Sequence, residues 1–228
     1  MALKVAVEAG QVPVTVTARL RTGVCMDLPY GLDLAGLLAA RVRRVNDFPG
    51  EAADSDDLPL PLGRCLTGPD WHWLASCAAP DRDDWEARTF YKVTDAAYAQ
   101  AVADRPLPYF APHQGPYRDQ MMPSPVLAAH TLTWRAIGDP DRLEALLAPL
   151  RFIGRRRNVG EGAVLSWEIT EHPAAGPAWV HHEGTDILRP VPVECVAAVE
   201  HRVGWYALRP PSWIPERLVA CAMTVEEW

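Results

Sequence analysis

The chain has 228 residues, 49% of them hydrophobic, and a formal net charge of -7, so it holds ample apolar material for one domain with insertions or two small ones. No stretch approaches the ~18 apolar residues of a membrane span, and the acidic balance excludes a protein that holds nucleic acid by a uniformly basic surface. Cys25, Cys65, Cys77, Cys195 and Cys221 occur without C-x-x-C spacing, which removes the usual zinc templates; odd in number and with no cationic, apolar leader before them, they point to free buried thiols in a reducing cytoplasm.

Val12 to Leu20 alternates as a half-buried strand does, and Leu34, Leu37, Leu38, Val42 and Val45 fall on one face of a helix begun near Asp33. Arg41, Arg43 and Arg44 cluster on that helix, whereas Glu51, Asp54, Asp56 and Asp57 lie in an acidic, proline-bearing linker over 46–58. Trp71 to Cys77 reads as the next strand. Arg82 to Tyr98 carries Arg88, Tyr91 and Lys92, and a solvated helix face is its ordinary reading. Asp104 to Pro125 holds six prolines and should not be forced into regular structure. Its Tyr109, Phe110, His113, Tyr117 and Arg118 combine stacking planes and donors that suit splayed bases of single-stranded RNA; the alternative is a surface insertion whose aromatics fold back on the domain.

Val126 to Ile137 is rich in β-branched and aromatic residues and makes a further strand. Asp139-Pro140 reads as an N-cap with proline at the first helical position, and Leu143, Leu146, Leu147 and Leu150 recur at amphipathic spacing. Ala163 to Ile169 is a strand with Val164, Ser166 and Glu168 on one face and Ala163, Leu165, Trp167 and Ile169 on the other. The two halves of the chain together give β-α-β-β-α-β, the split, ferredoxin-like arrangement that RNA-recognition domains share.

Between the second helix and its following strand lies Gly154-Arg155-Arg156-Arg157-Asn158-Val159-Gly160-Glu161-Gly162. Three guanidiniums offer forked donors suited to phosphodiester oxygens, and the glycines allow positive φ and close backbone approach. The order helix, loop, strand and the absence of Gly-Lys-Ser/Thr or Gly-x-Gly-x-x-Gly exclude a Walker or dinucleotide-binding loop. A surface connection with a basic tip is the bland reading of the loop alone.

Leu28-Pro29-Tyr30-Gly31-Leu32-Asp33 opening the first helix, Leu58-Pro59-Leu60-Pro61-Leu62, Trp71-His72-Trp73-Leu74-Ala75-Ser76, Gly115-Pro116-Tyr117-Arg118, Gly138-Asp139 and the terminal glycine loop, in this order and spacing, resemble the RAMP superfamily of CRISPR-associated RNA-binding proteins. Within it, the chain resembles the small subunit of type IV effector complexes that caps the 5′ handle of the guide RNA. The resemblance covers roughly residues 12 to 172. It implies an α+β, RRM-like RAMP domain over 1–172, a thumb-like insertion at about 80–125, and a C-terminal extension over 173–228. It also implies a cytoplasmic ribonucleoprotein of antiviral or anti-plasmid defence, bound to crRNA, to a repeating backbone subunit and to a large subunit. Gly154, Arg155, Arg156, Arg157, Gly160 and Gly162 would hold the handle, with Arg88, Lys92, His113, Tyr117 and Arg118 as further RNA contacts.

After residue 172 the resemblance thins. Adjacent His181 and His182 point to opposite faces of an extended segment, so the expectation is no metal and no cofactor. Arg189-Pro190-Val191-Pro192 and Arg209 to Pro215 are rigid pieces that, with Trp179, Trp205, Trp213 and Trp228, cover the sheet or present aromatic anchors to a partner. Relatives cut RNA by driving the 2′-hydroxyl onto its own phosphate, a role that His113, Tyr117 and Lys92 could fill. No histidine precedes His72, however, so the first helix lacks a base. The reading is a non-catalytic RNA-binding subunit; the alternative is a metal-independent endoribonuclease that processes precursor guide RNA.

Overall fold

The computed structural model describes residues 3–26, 30–45, 58–92, 119–209 and 215–225. The chain runs β1 (Val5–Ala6), β2 (Val12–Leu20), β3 (Val24–Cys25), α1 (Leu34–Val45), β4 (Arg64–Cys65), β5 (His72–Trp73), β6 (Ala79–Pro80), β7 (Trp85–Lys92), β8 (Gln120–Leu127), β9 (Thr131–Gly138), α2 (Pro140–Leu147), β10 (Val164–Glu171), β11 (His182–Glu183), β12 (Asp186–Ile187), β13 (Val191–Pro192), β14 (Arg202–Ala207) and β15 (Leu218–Met223). It is a mixed α+β fold of small antiparallel sheets with two helices among the described residues. None of its described helices is long and apolar enough to cross a membrane.

The central sheet has the strand order β10-β2-β9-β6. Alternation along β2 buries Val14, Val16 and Ala18 opposite Ala136, Trp134 and Leu132 of β9, and turns Thr15, Thr17 and Arg19 to the other face beside Arg135, Thr133 and Thr131. Both helices cover the apolar face and touch each other, α1 through Leu34, Leu38 and Val42 and α2 through Leu143 and Leu147. Each starts at an aspartate. Asp33 accepts from the backbone N–H groups of Ala35 and Gly36, and Asp139 from that of Arg142. Pro140 sits in the first turn of α2, where its missing N–H would have no partner anyway. The buried indole of Trp134 donates to Leu32 O at 2.9 Å, tying the sheet centre to the entry of α1.

Four sequence expectations change. The stretch 126–137 is two strands, because Asp81 captures the N–H groups of His130 and Thr131 and turns the chain from β8 into β9. In β10 the register shifts between Val164 and Ser166, leaving Leu165 as an extra, exposed residue. Val164 therefore shares the inward side with Trp167 and Ile169, and the alternation read from sequence is off by one there. Over 71–77 the expected strand is broken by a tight turn in which Ala75 N–H donates back to Trp73 O: His72–Trp73 pairs with β4, and Ala75 bridges Ala136 of β9, while the Arg189 guanidinium takes the carbonyls of Trp73 and Ala75 at 2.9 and 2.6 Å. Finally, Trp85–Lys92 is a strand and not a helix face; it pairs along its whole length with β8, in a region expected to be irregular. Pro123 and Pro125 occupy alternate positions of β8, so both missing donors fall on one edge.

The segment after residue 172 packs on the central sheet through a second core, in which Val180, Ile187, Val191 and Val196 meet Leu74 and Ile137. All five cysteines are free and buried. In this core the Cys65 and Cys195 sulfurs lie 3.9 Å apart, and the Nε2 atoms of the fully buried His72 and His181 lie 3.1 Å apart. Burial lowers the pKa of both imidazoles, that of His181 well below its usual value, so both are neutral at pH 7. Arg189 is the polar hub between the two cores, reaching Leu208 O at 3.0 Å as well as the β5 carbonyls. Removing it strands the carbonyls of Ala75 and Leu208, each worth about 1–3 kcal/mol, and leaves Trp73 O with the Ala75 N–H alone. Arg189→Leu is expected to lower the unfolding free energy by about 3 kcal/mol or more, read as a reduced midpoint in urea at unchanged slope.

Candidate nucleic-acid interface

The glycine–arginine loop is a clamped structure. Its stem closes where Ile153 N–H donates to Gly162 O and Val164 N–H to Arg151 O, both at 2.9 Å. The connection between β2 and β3 then holds it from the side: Arg155 N–H donates to Cys25 O and Gly162 N–H to Gly23 O, both at 2.7 Å. Thr22 completes the grip, its hydroxyl donating to Gly160 O and accepting from Ala163 N–H. A short 3-10 turn, Arg157–Val159, forms the tip.

The glycines have different reasons. Gly162 has φ +70°, and a Cβ there would lie 1.9 Å from Ile153 O, so no side chain fits without opening the stem. Gly160 has φ +93° but nothing within 4 Å of a Cβ, so only its backbone conformation requires glycine.

The loop arginines do not all face the same way. Arg156, the sole non-glycine residue with positive φ among the described residues, lays its guanidinium over the Phe90 ring at 5.1 Å and reaches Ser124 Oγ at 3.5 Å. It holds the loop to the β7–β8 hairpin. Arg88, expected at the RNA, returns the contact: its Nη1 donates to the buried Glu161 carboxylate at 2.8 Å while it also pairs with Glu86 at 2.9 Å. Arg155 and Arg157 are exposed on the loop.

These side chains border a concavity of about 710 Å³ between the loop and the C-terminal end of α1. Six arginines line it, Arg41, Arg44, Arg151, Arg155, Arg156 and Arg157, and no acidic residue does among the described residues. In a chain of net charge -7 this is a concentrated positive potential, the condition for holding phosphates. Nε of Arg41 is buried without a hydrogen-bond partner among the described residues. A second concavity of about 420 Å³ lies on the other side of Gly154–Arg157, where Arg43, Arg189, Arg209 and Tyr206 join Arg155 and Arg157. Arg189 and Arg209 are structural there: the first holds β5, and the second is bound to Asp70 at 2.7 Å and stacked over Trp71. Neither concavity is lined by a histidine among the described residues.

Six sequence-derived residues, Gly154, Arg155, Arg156, Arg157, Gly160 and Gly162, thus form one loop, and Arg88 braces it. Lys92 stands at the far end of β7 opposite Gln120, beside the exposed Tyr91 and Met121. His113, Tyr117 and Arg118 lie outside the described residues. Sequence reasoning left Arg41, Arg44 and Arg151 out of the site. Positions 41 and 44 are one helical turn apart and so share a face, a signal that pointed toward the loop only once the helix was docked.

A family model for the CRISPR type IV associated protein Csf3 matches residues 12–224, and the chain belongs to that family. The match continues past residue 172, so the C-terminal segment is part of the family pattern. No curated protein matches the chain.

The clamp makes a graded stability series. Gly160→Ala is expected to cost about 1–2 kcal/mol, the left-handed backbone penalty alone. Gly162→Ala adds overpacking against Ile153 and should cost about 3 kcal/mol or more. Equilibrium urea denaturation of the two variants measures the difference; equal losses would mean that the stem does not close as described.

Proposed function

We propose that the chain is a non-catalytic guide-RNA-binding subunit of a type IV CRISPR ribonucleoprotein complex, and that its arginine-lined concavity receives the single-stranded 5′ handle of the crRNA. The observation that carries this reading is the convergence of six arginines, from α1 and from a loop whose backbone is fixed in advance, on one concavity that no acidic residue lines among the described residues. A loop backbone held in place needs no ordering on binding, and its guanidiniums can fork onto phosphate oxygens. The strand order β10-β2-β9-β6 is the fourth, first, third and second strand of a βαββαβ unit, which supports a ferredoxin-like RAMP domain.

In this reading the parts divide the work. Arg155 and Arg157 from the loop and Arg41 and Arg44 from α1 neutralise successive phosphates on opposite walls. Arg156 and Arg88 keep the β7–β8 hairpin against the loop, so that the hairpin can act as the thumb beside the RNA. Unpaired bases are left to stacking partners and neighbouring subunits, as single-stranded recognition requires. On the sheet face away from the helices Thr17, Thr131 and Thr133 offer hydroxyls, while Thr15 and Arg135 are covered by His172 and Trp179; this face therefore lacks the free aromatic platform of an RNA-recognition domain, which favours capture by the concavity. Trp205 and Val203, 73% and 62% exposed on β14, are the apolar anchors for the adjoining backbone or large subunit.

Fluorescence anisotropy with a labelled handle RNA over a range of salt tests the reading. Replacing Arg41, Arg44, Arg155 and Arg157 by alanine should keep the fold and weaken binding, and each lost phosphate contact should remove roughly 0.7 from the slope of log K against log salt. Arg19→Ala, on the open sheet face, should leave the slope unaltered. An unchanged slope in the quadruple variant would exclude the concavity as the phosphate site. Precursor guide RNA incubated with the protein, with or without EDTA, is expected to stay intact; discrete products would assign it the role of a metal-independent endoribonuclease.

A further inference from the structure

The second core contains two cysteines and two histidines brought together from four separate segments: Cys65 on β4, His72 on β5, His181 just before β11 and Cys195 just after β13. All four are buried. One ligand atom each from Cys65, His72 and Cys195 lies within 4.8 Å of the others, and His181 Nε2 lies 3.1 Å from His72 Nε2. A tetrahedral zinc ion with Zn–S of about 2.3 Å and Zn–N of about 2.0 Å requires the two sulfurs to be about 3.8 Å apart and the two nitrogens about 3.3 Å apart. The observed separations are 3.9 and 3.1 Å; His181 is outside the group whose ligand atoms all lie within 4.8 Å of one another, so its ring has to turn toward the sulfurs to complete the set.

The chemistry of the donors agrees with the spacing. Two imidazole Nε2 atoms that face each other can be satisfied by one another only if a single proton sits between them. The Nδ1 atoms of both rings are buried with no hydrogen-bond partner, so neither ring has a polar reason on that side for its orientation. A cation between the Nε2 atoms takes both lone pairs and leaves one proton on each Nδ1. Two thiols that bind it each release a proton, giving a dication, two thiolates and two neutral imidazoles with no net charge. A neutral assembly of this kind is what a buried, apolar core tolerates.

We propose that Cys65, His72 and Cys195, with His181 drawn in as the fourth ligand, form a structural zinc site that fastens the segment after residue 172 to the β4–β5 hairpin. This stands apart from the RNA-binding reading, since none of the four residues lines either arginine-bordered concavity. Its effect on the molecule is mechanical. Arg189 lies between His181 and Cys195 in the chain and holds the β5 carbonyls, so the ion braces the same junction from both sides.

The full chain, expressed with zinc in the medium and purified under reducing conditions, is to be assayed for metal by inductively coupled plasma mass spectrometry. About one zinc per chain is expected. Replacing the zinc with Co(II) should give the intense visible absorption of a tetrahedral cobalt–thiolate centre, and Cys65→Ser with Cys195→Ser should lower bound zinc at least tenfold. Should that double variant fail to fold, the metal content and cobalt spectrum of the unaltered chain decide the matter. Zinc at less than about a tenth of an equivalent after incubation with excess Zn(II), a cobalt spectrum of octahedral type, or a metal-free Cys65–Cys195 disulfide in the purified reduced protein would each overturn the proposal.

Discussion

The structure depends on one close backbone approach. Gly162 passes so near Ile153 that a Cβ would fall 1.9 Å from its carbonyl oxygen, and in the same place its N–H reaches Gly23 O. Only a residue without a side chain allows both. The loop is thereby fixed to its own stem and to the connection between β2 and β3, which turns a nine-residue arginine-bearing excursion into a rigid wall. Without that approach, binding of RNA in the proposed manner would have to order the loop backbone, at a loss of binding free energy.

Charge follows geometry in this molecule. Acidic residues outnumber basic ones by 29 to 22, so affinity for a polyanion has to come from placement. The C-terminal part of α1 and the loop after α2 supply arginines to a single concavity, and Glu161, the one buried carboxylate among the described residues, is taken up by Arg88. That pairing removes a negative charge from the edge of the site and uses it to hold the β7–β8 hairpin. Arg156 makes a parallel attachment over Phe90. The three consecutive arginines therefore divide into one that builds the site and two that remain exposed on it.

How much was legible in the sequence depended on the range of the interaction. Alternation along Val12–Leu20 and the leucine spacing after Asp139-Pro140 are local signals, and the structure has those elements at those residues. The bulge at Leu165 and the division of 71–77 between two partners were not legible, because each depends on pairing with residues far away in the chain: β10 takes its register on β2, and 71–77 pairs first with β4 and then with β9. The loop could be read from its composition. Arg41 and Arg44 could not be assigned to it, since only helix docking brings them there. The cysteine–histidine cluster was hidden for the same reason, with no two of its members closer than seven positions in the sequence. Segment composition exposes sites built within one loop and conceals sites assembled from many.

The central claim, that this Csf3 family member grips the guide RNA at the loop, is tested most directly by photo-crosslinking the assembled type IV complex on its own crRNA. Mass spectrometry then identifies the crosslinked peptides. The expected result is adducts to nucleotides of the 5′ handle on residues 151–162 and 41–44. Adducts confined to the threonine face of the central sheet or to the segment after residue 172, with none on the loop, would contradict it.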